Sequence, residues 1–194
     1  MNYLIKTVQP TTEPVTLAEA QLHLRLDTEG SPPSHPDDAL LDVLISAARE
    51  SVENYTGLTL VESQYQCRST PVNSAVNLQT FPVLSVENVT YQDEDDETQI
   101  IDSDNYFIDN FKRPALLRFK RETPTKDVTV SFTAGFTDGD SPNFYPMPKP
   151  LNAAIKLIIG NLYQNRESVS DNQSYERPQS AINLMSQYRI NMGL

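Results

Sequence analysis

The sequence predicts an α+β protein, in which a small helical bundle made from the two ends of the chain carries an inserted antiparallel β domain of sandwich or barrel type. Apolar residues recur with helical spacing near both ends of the chain, within residues 16–56 and 151–190. Between them, over residues 58–135, the period changes to two, in short runs separated by turn residues. Neither end carries enough apolar surface to fold alone, so we expect the terminal helices to pack together.

This pattern divides the chain into three parts. Residues 1–57 form the N-terminal helical part of the bundle, and residues 58–135 form the inserted β domain. Residues 136–194 contain a loop and then the C-terminal helices that complete the bundle. No apolar run approaches the roughly 20 residues of a membrane span. The single cysteine, Cys67, excludes an internal disulfide.

The first helix begins at a capping box. Thr16 and Glu19 have the spacing at which each side chain accepts a backbone N–H group from the other residue. Residues 1–15, before this point, are extended and interrupted by Pro10 and Pro14. We therefore predict a short amphipathic helix from residue 17 to about residue 27.

The central helix is predicted over residues 37–56 and is the longest of the chain. Its buried stripe comprises Leu41, Leu44, Ile45, Ala48, Val52 and Tyr55, and it is widened by Leu40, Val43 and Ala47. The helical wheel places Asp42, Ser46, Arg49, Glu50 and Glu53 in solvent. Gly57 supplies the positive φ that a helix exit often needs.

About seven short strands are predicted between residues 58 and 135. The run DVTVSFT at 127–133 alternates most regularly, and a change of phase after Val86 indicates a bulge near Glu87 and Asn88. A further apolar helix is predicted at 151–165, followed by a polar link at 165–178. A last helix at 179–190 begins after Pro178 and carries a narrow stripe of Ile182, Met185 and Tyr188.

Acidic residues outnumber basic residues by 26 to 15, which gives a net charge of −11. This balance argues against nonspecific nucleic-acid binding, because lysine and arginine supply most of the affinity for phosphate. The densest acidic run is Asp93, Glu94, Asp95, Asp96 and Glu97. It is typical of a solvated hairpin tip, with a surface that repels an anionic polymer as the functional alternative.

No catalytic or metal-binding motif is present. His23 and His35 have no cysteine, histidine or glutamate at ligand spacing, and there is no nucleophile elbow, P-loop or dinucleotide fingerprint. Cys67 alternates with polar neighbours in a predicted strand, which indicates a small buried side chain rather than a nucleophile. We predict no enzyme activity, no metal and no cofactor.

An ordered series of packing segments resembles the phage head–tail connector (adaptor, or head-completion) family. The segments are TLAEAQLHLRLD at 16–27, DDALLDVLISAARESVENYTGLTLVES at 37–63, FPVLSVENVTY at 81–91, DNYFID at 104–109, VTVSFTAGF at 128–136, PLNAAIKLIIGNLYQNRES at 150–168 and INLMSQYR at 182–189. Together they cover most of the chain in the family's order. Each is a packing pattern rather than a site, so the resemblance rests on the series.

The resemblance implies a structural virion protein at the head–tail interface, synthesised in the host bacterial cytoplasm. Such proteins form a closed ring, dodecameric by this resemblance, beneath the portal protein. A tail-side stopper or tail-completion protein docks below the ring, and double-stranded DNA passes through it without specific binding. Acidic walls would resist adhesion of DNA, which makes residues 93–97 candidates for the channel or for a loop tip.

The family commonly engages the portal through its C-terminal region. The resemblance therefore implies docking candidates in the last helix and at its ends: Arg177, Ile182, Met185, Tyr188 and Arg189. The alternative for this helix is that it folds back on its own bundle. Two other functions stay open, a tail-side stopper or tail-completion protein and a hydrolase with an unrecognised carboxylate site.

Overall fold

The structure is a computed structural model that describes residues 3–30, 33–71, 74–93, 95, 97–120, 126–137, 145–165 and 178–190. The chain divides into two compact units. The β unit comprises residues 1–11, 57–146 and 190–194, and the helical unit comprises residues 12–56 and 147–189. The predicted α+β class, with helices and antiparallel sheets, is confirmed.

The helical unit contains four helices among the described residues: α1 (Leu17–Leu24), α2 (Asp38–Thr56), α3 (Lys149–Gln164) and α4 (Gln179–Ser186). Helix α3 packs against α1, α2 and α4. None of the helices in the described ranges is long and apolar enough to cross a membrane.

Local sequence signals account for how α1 begins and how α2 ends, whereas α1 ends at Leu24, before the predicted residue 27. The predicted capping box is confirmed, since Thr16 Oγ accepts the Glu19 N–H at 3.2 Å and Glu19 Oε2 accepts the Thr16 N–H at 3.0 Å. Gly57 follows α2 with a φ of 74°, the left-handed conformation expected at this exit.

The apolar stripe of α2 forms much of the core of the helical unit. Leu41, Ile45, Ala48 and Val52 are at most 2% exposed, as the helical period predicts. Val43, which we predicted to widen the stripe, is 64% exposed. The buried face of α2 is therefore narrower than its composition suggests.

Arg49 corrects the helical-wheel prediction of a solvated face. Its side chain is only 3% exposed, and its guanidinium is paired with Glu13 at 2.8 Å and with Glu53 at 2.9 Å. Burial by itself lowers the pKa of Arg49, but the hydrogen bond from Arg49 to Glu13 and the charges of Glu53, Glu13 and Glu50 outweigh it, so the pKa is raised. Arg49 is thus a buried cation that fixes the segment around Glu13 to α2.

The β unit contains eight strands in the described ranges: β1 (Tyr3–Val8), β2 (Ser63–Ser69), β3 (Ala75–Asn77), β4 (Val83–Gln92), β5 (Thr98–Ile100), β6 (Tyr106–Asp109), β7 (Leu116–Phe119) and β8 (Val128–Ala134). They form a five-stranded sheet in the order β1-β2-β8-β4-β5 and a three-stranded sheet in the order β3-β7-β6. All pairs are antiparallel. Over the described residues the strands form two open sheets, and a closed barrel is not seen.

The two sheets share one apolar core. Phe132 and Val130 of the large sheet and Leu117 of the small sheet are fully buried in it. The ring of Tyr65 stacks on that of Phe132, with 5.7 Å between the centroids. The bulge predicted near residues 87 and 88 is confirmed, because the register between β4 and β8 shifts between Val86 and Asn88.

Strand β1 differs from the prediction for the N-terminal segment. We grouped residues 1–57 with the helices, whereas Tyr3–Val8 is a strand that pairs with β2. The prolines at positions 10 and 14 govern only the connection that follows. The alternation of YLIKTV suits the edge of a sheet, where one face stays exposed.

Candidate functional site

The acidic turn at residues 93–97 connects β4 to β5, and Asp93 shapes it. The Asp93 carboxylate accepts hydrogen bonds from the backbone N–H groups of Asp95 and Glu97, at 3.0 and 2.9 Å, and from Gln99 Nε2 at 2.8 Å. Lys126 Nζ donates to the backbone carbonyl oxygen of Asp93. An aspartate bonded to the N–H two residues ahead forms an Asx turn, so Asp93 has a structural role in the hairpin.

These contacts keep Asp93 ionised. The hydrogen bond from Gln99, followed by that from the Glu97 N–H, holds the pKa of Asp93 below its usual value. The predicted hairpin is confirmed by the pairing of β4 with β5. Asp95 and Glu97 are exposed, while Glu94 and Asp96 lie outside the described residues. The acidic surface of this turn therefore includes Asp95 and Glu97.

Helix α4 packs within the helical unit. It contacts α3 and α2, and Ala181 and Met185 are fully buried. This agrees with the alternative in which the last helix folds back on its own bundle. A portal contact made by Met185 itself would require α4 to leave the bundle.

The other C-terminal docking candidates differ in exposure. Ile182 and Tyr188 are half-buried, and Arg189 is exposed. The guanidinium carbon of Arg189 lies 5.4 Å from the centroid of the Tyr55 ring, which holds the end of the segment against α2. Residues 166–177 of the polar link predicted at 165–178, with Arg177 among them, lie outside the described residues.

A fully exposed aromatic side chain marks a surface that the sequence did not indicate. Phe111 is 100% exposed in the loop between β6 and β7. This loop is anchored on both sides of Phe111. Asn110 Nδ2 donates to the Val83 carbonyl oxygen at 2.8 Å, and the guanidinium carbon of Arg113 lies 4.6 Å from the centroid of the Phe81 ring. Phe111 is therefore an exposed aromatic side chain on an anchored loop.

Histidine and cysteine side chains have structural surroundings. His35 Nδ1 accepts the Asp37 N–H at 3.0 Å, and the His35 N–H donates to Asp38 at 2.8 Å, just before α2. His23 is exposed on α1. Cys67 is completely buried, as predicted, with its sulfur 3.6 Å from the Asn77 carbonyl oxygen. In the part of the chain that the structure describes, no three residues that could hold a metal ion come together.

We expect the Cys67 thiol to resist alkylation in the folded protein. Burial raises the pKa of Cys67 to about 11, so almost no thiolate exists at neutral pH, and the sulfur is inaccessible. Reaction with Ellman's reagent should therefore be at least a hundredfold slower in native buffer than in denaturant. Rapid labelling of native protein that keeps its circular dichroism spectrum would contradict the burial of β2.

The family can be assigned once this architecture is described. The family model of the phage gp6-like head-tail connector protein matches residues 14–123, more than half of the 194-residue chain. The chain belongs to this family. It is therefore a structural connector protein and not an enzyme. No protein in the comparison with curated sequences matches it.

Chains in solved structures of gene transfer agent particles share the fold. The chain is similar to a chain in "Neck of empty GTA particle computed with C6 symmetry", at 22% identity and a TM-score of 0.73, with 100% of this chain and 97% of that chain covered. A chain in "Virion of native gene transfer agent (GTA) particle" matches at 21% identity and a TM-score of 0.71, with 98% of this chain and 97% of that chain covered. A chain in "Neck of native GTA particle computed with C12 symmetry" matches at 21% identity and a TM-score of 0.70, with 100% of this chain and 97% of that chain covered.

Proposed function

We propose that this chain assembles into a closed ring at the head–tail junction of a phage particle, between the portal and a tail-side stopper or tail-completion protein. The observation that carries the proposal is the match to the head-tail connector family over residues 14–123. Further support comes from two similar structures, which are particle necks computed with C6 and C12 symmetry. We expect a ring of twelve subunits, made in the bacterial cytoplasm and built into the virion.

The charge of the chain fits a passage for DNA. With a net charge of −11, a ring would repel phosphate and leave double-stranded DNA free to slide. The exposed carboxylates of Asp95 and Glu97 belong to this acidic surface and are our candidates for the channel or for a loop tip. Tight binding of duplex DNA at physiological salt would contradict this role.

The C-terminal segment is our candidate for the portal contact. Ile182 lies within α4, and Tyr188 and Arg189 follow its end; Arg189 and the exposed parts of the two other side chains can be reached by a partner without unfolding α4. Arg177, which lies outside the described residues, is part of the same proposal. An exposed arginine beside half-buried apolar side chains is a common composition for an interface.

Native mass measurement of the purified chain, alone and mixed with the portal protein of the same phage, tests the ring. We expect a discrete oligomer, or a monomer that becomes a discrete oligomer on the portal. A chain that stays monomeric and ignores the portal would overturn the connector proposal. A ring that binds only the tail-side partner would favour a stopper instead.

The docking residues can be tested in the same mixture. Arg189→Glu reverses an exposed charge in the proposed contact and should weaken portal binding at least tenfold. Lys149→Glu makes the same charge change at an exposed position at the start of α3 and serves as the matched control. Equal binding by both variants would remove Arg189 from the portal contact.

A further inference from the structure

The large sheet exposes large apolar side chains only on its two edge strands. On β1, Tyr3, Ile5 and Val8 are 56%, 61% and 47% exposed, and on β5, Ile100 is 76% exposed. The interior strands β2, β8 and β4 carry no exposed large apolar side chain over the described residues. Because β1 and β5 are the opposite ends of the strand order, the sheet has two different apolar edges.

The apolar side chains of both edges lie on the same face of the sheet. Register pairs connect Tyr3 to Arg68, Arg68 to Thr129, Thr129 to Thr90 and Thr90 to Ile100. Directly paired residues project from the same face, so these five side chains form one row across the sheet. The row is polar in the middle and apolar at each end.

This face is the outer one. The row on the other face runs from Leu4 through Cys67 and Val130 to Val89, and it belongs to the core of the β unit. Ile5 begins a second outer row, whose neighbour on β2 is Gln66. Edge-to-edge joining of two copies would therefore bring the apolar ends of two outer rows together.

The two edges differ in charge. Strand β5 has the uncharged sequence TQI, whereas β1 has one charge, Lys6, whose Nζ lies 5.6 Å from the centroid of the Tyr65 ring on the inner face. Exposed carboxylates flank β5, from Asp95 and Glu97 before it and from Asp102 just after it. A β1 edge thus complements a β5 edge in charge, while two β1 edges or two β5 edges would bring like charges together.

Strand direction suits a rotational assembly. Four antiparallel steps separate β1 from β5, so the two edge strands run in the same direction. Neighbours in a twelve-fold ring differ by a rotation of only about 30°, which does not reverse the sense of a strand. The β5 strand of one copy would therefore meet the β1 strand of the next in the parallel sense.

We propose that β5 of one subunit adds to β1 of the neighbouring subunit as a parallel pair, with Ile100 packed beside Ile5 on the outer face. This contact is heterologous, so every subunit offers one edge of each kind, and the series closes as a ring when the rotation between neighbours divides a full turn. The inference rests on the proposed ring function and names the surface through which the ring forms.

Cysteine cross-linking tests the contact directly. In a Cys67→Ala background, Ile5→Cys and Ile100→Cys in the same chain should give a ladder up to the ring size with a short bismaleimide. A chain with only one of the two cysteines should give no ladder. Val43→Cys with Ile100→Cys is the matched control, because Val43 is equally exposed but lies on α2.

The outcomes separate this inference from the ring itself. Rings that form by native mass but give no Ile5–Ile100 ladder would overturn the edge contact and leave the ring proposal standing. A chain that never oligomerises, even with portal, would overturn both. Ile100→Lys should also weaken ring formation at least tenfold, because it replaces the apolar contact with Ile5 by a charge, whereas Leu22→Lys at an exposed position on α1 should not.

Discussion

Replacing Ile45 with aspartate is expected to unfold the helical unit. Ile45 is 2% exposed at the middle of the α2 stripe, between Leu41 and Ala48. The substitution removes buried apolar surface and places an unpaired carboxylate in the core. Together these effects should lower the free energy of unfolding by about 4 kcal/mol or more. This is a large share of the roughly 5–15 kcal/mol that stabilises a typical domain. Thermal melting followed by far-ultraviolet circular dichroism measures the loss.

Val43→Asp is the matched control for this substitution. Val43 lies on the same helix but is 64% exposed, so aspartate there should change the free energy of unfolding by no more than about 0.5 kcal/mol. If Ile45→Asp melted with the wild type, the apolar stripe of α2 would not be in the core. A large loss in Val43→Asp would instead indicate that a partner covers this surface.

Gly135→Ala is expected to destabilise the β unit by about 3–5 kcal/mol. Gly135 is buried with a φ of 144°, a conformation that L-residues rarely adopt. A Cβ atom there would lie 2.5 Å from the Glu62 backbone nitrogen and from the Val61 carbonyl carbon. Neither contact can relax by turning a side chain. Chemical denaturation should show the loss, and Cys67 in the same unit should become reactive earlier.

The same substitution at Gly160 should instead raise the free energy of unfolding. Gly160 lies inside α3, and a Cβ atom there would make ordinary contacts with the side chains of His23, at 3.7 Å, and Leu24, at 4.0 Å. Alanine lowers the conformational entropy of the unfolded chain, so Gly160→Ala should raise the free energy of unfolding by about 0.5–1 kcal/mol. Similar losses at both glycines would refute the argument from Gly135 geometry.

Local signals in the sequence were sufficient to predict the features that depend on neighbouring residues. The capping box at Thr16, the stripe of α2 and the bulge after Val86 all follow from spacings of a few residues. In each case one hydrogen bond or one buried face decides the conformation, and both partners lie within a single element. The helical and β composition of the fold could therefore be predicted from the sequence.

Features that depend on distant partners could not be predicted in this way. Arg49 is buried because Glu13, 36 positions earlier, pairs with it. The residue spacing within α2 cannot predict that carboxylate. Strand β1 becomes an edge only because it pairs with β2, some 60 residues later. The candidate surfaces share this limit, since the exposure of Ile100 and Phe111 depends on which strands lie beside them.

The interrupted order of the helical unit has a consequence during translation. Helix α2 ends at Thr56, and its partner α3 begins only at Lys149, so the ribosome adds roughly 90 residues between them. At 5–20 residues per second this takes roughly 5–20 s. For that time the stripe of Leu41, Ile45, Ala48 and Val52 lacks the helix that packs against α2. Nascent chains halted before residue 149 should therefore be bound by chaperones through α2, and release should follow the synthesis of α3.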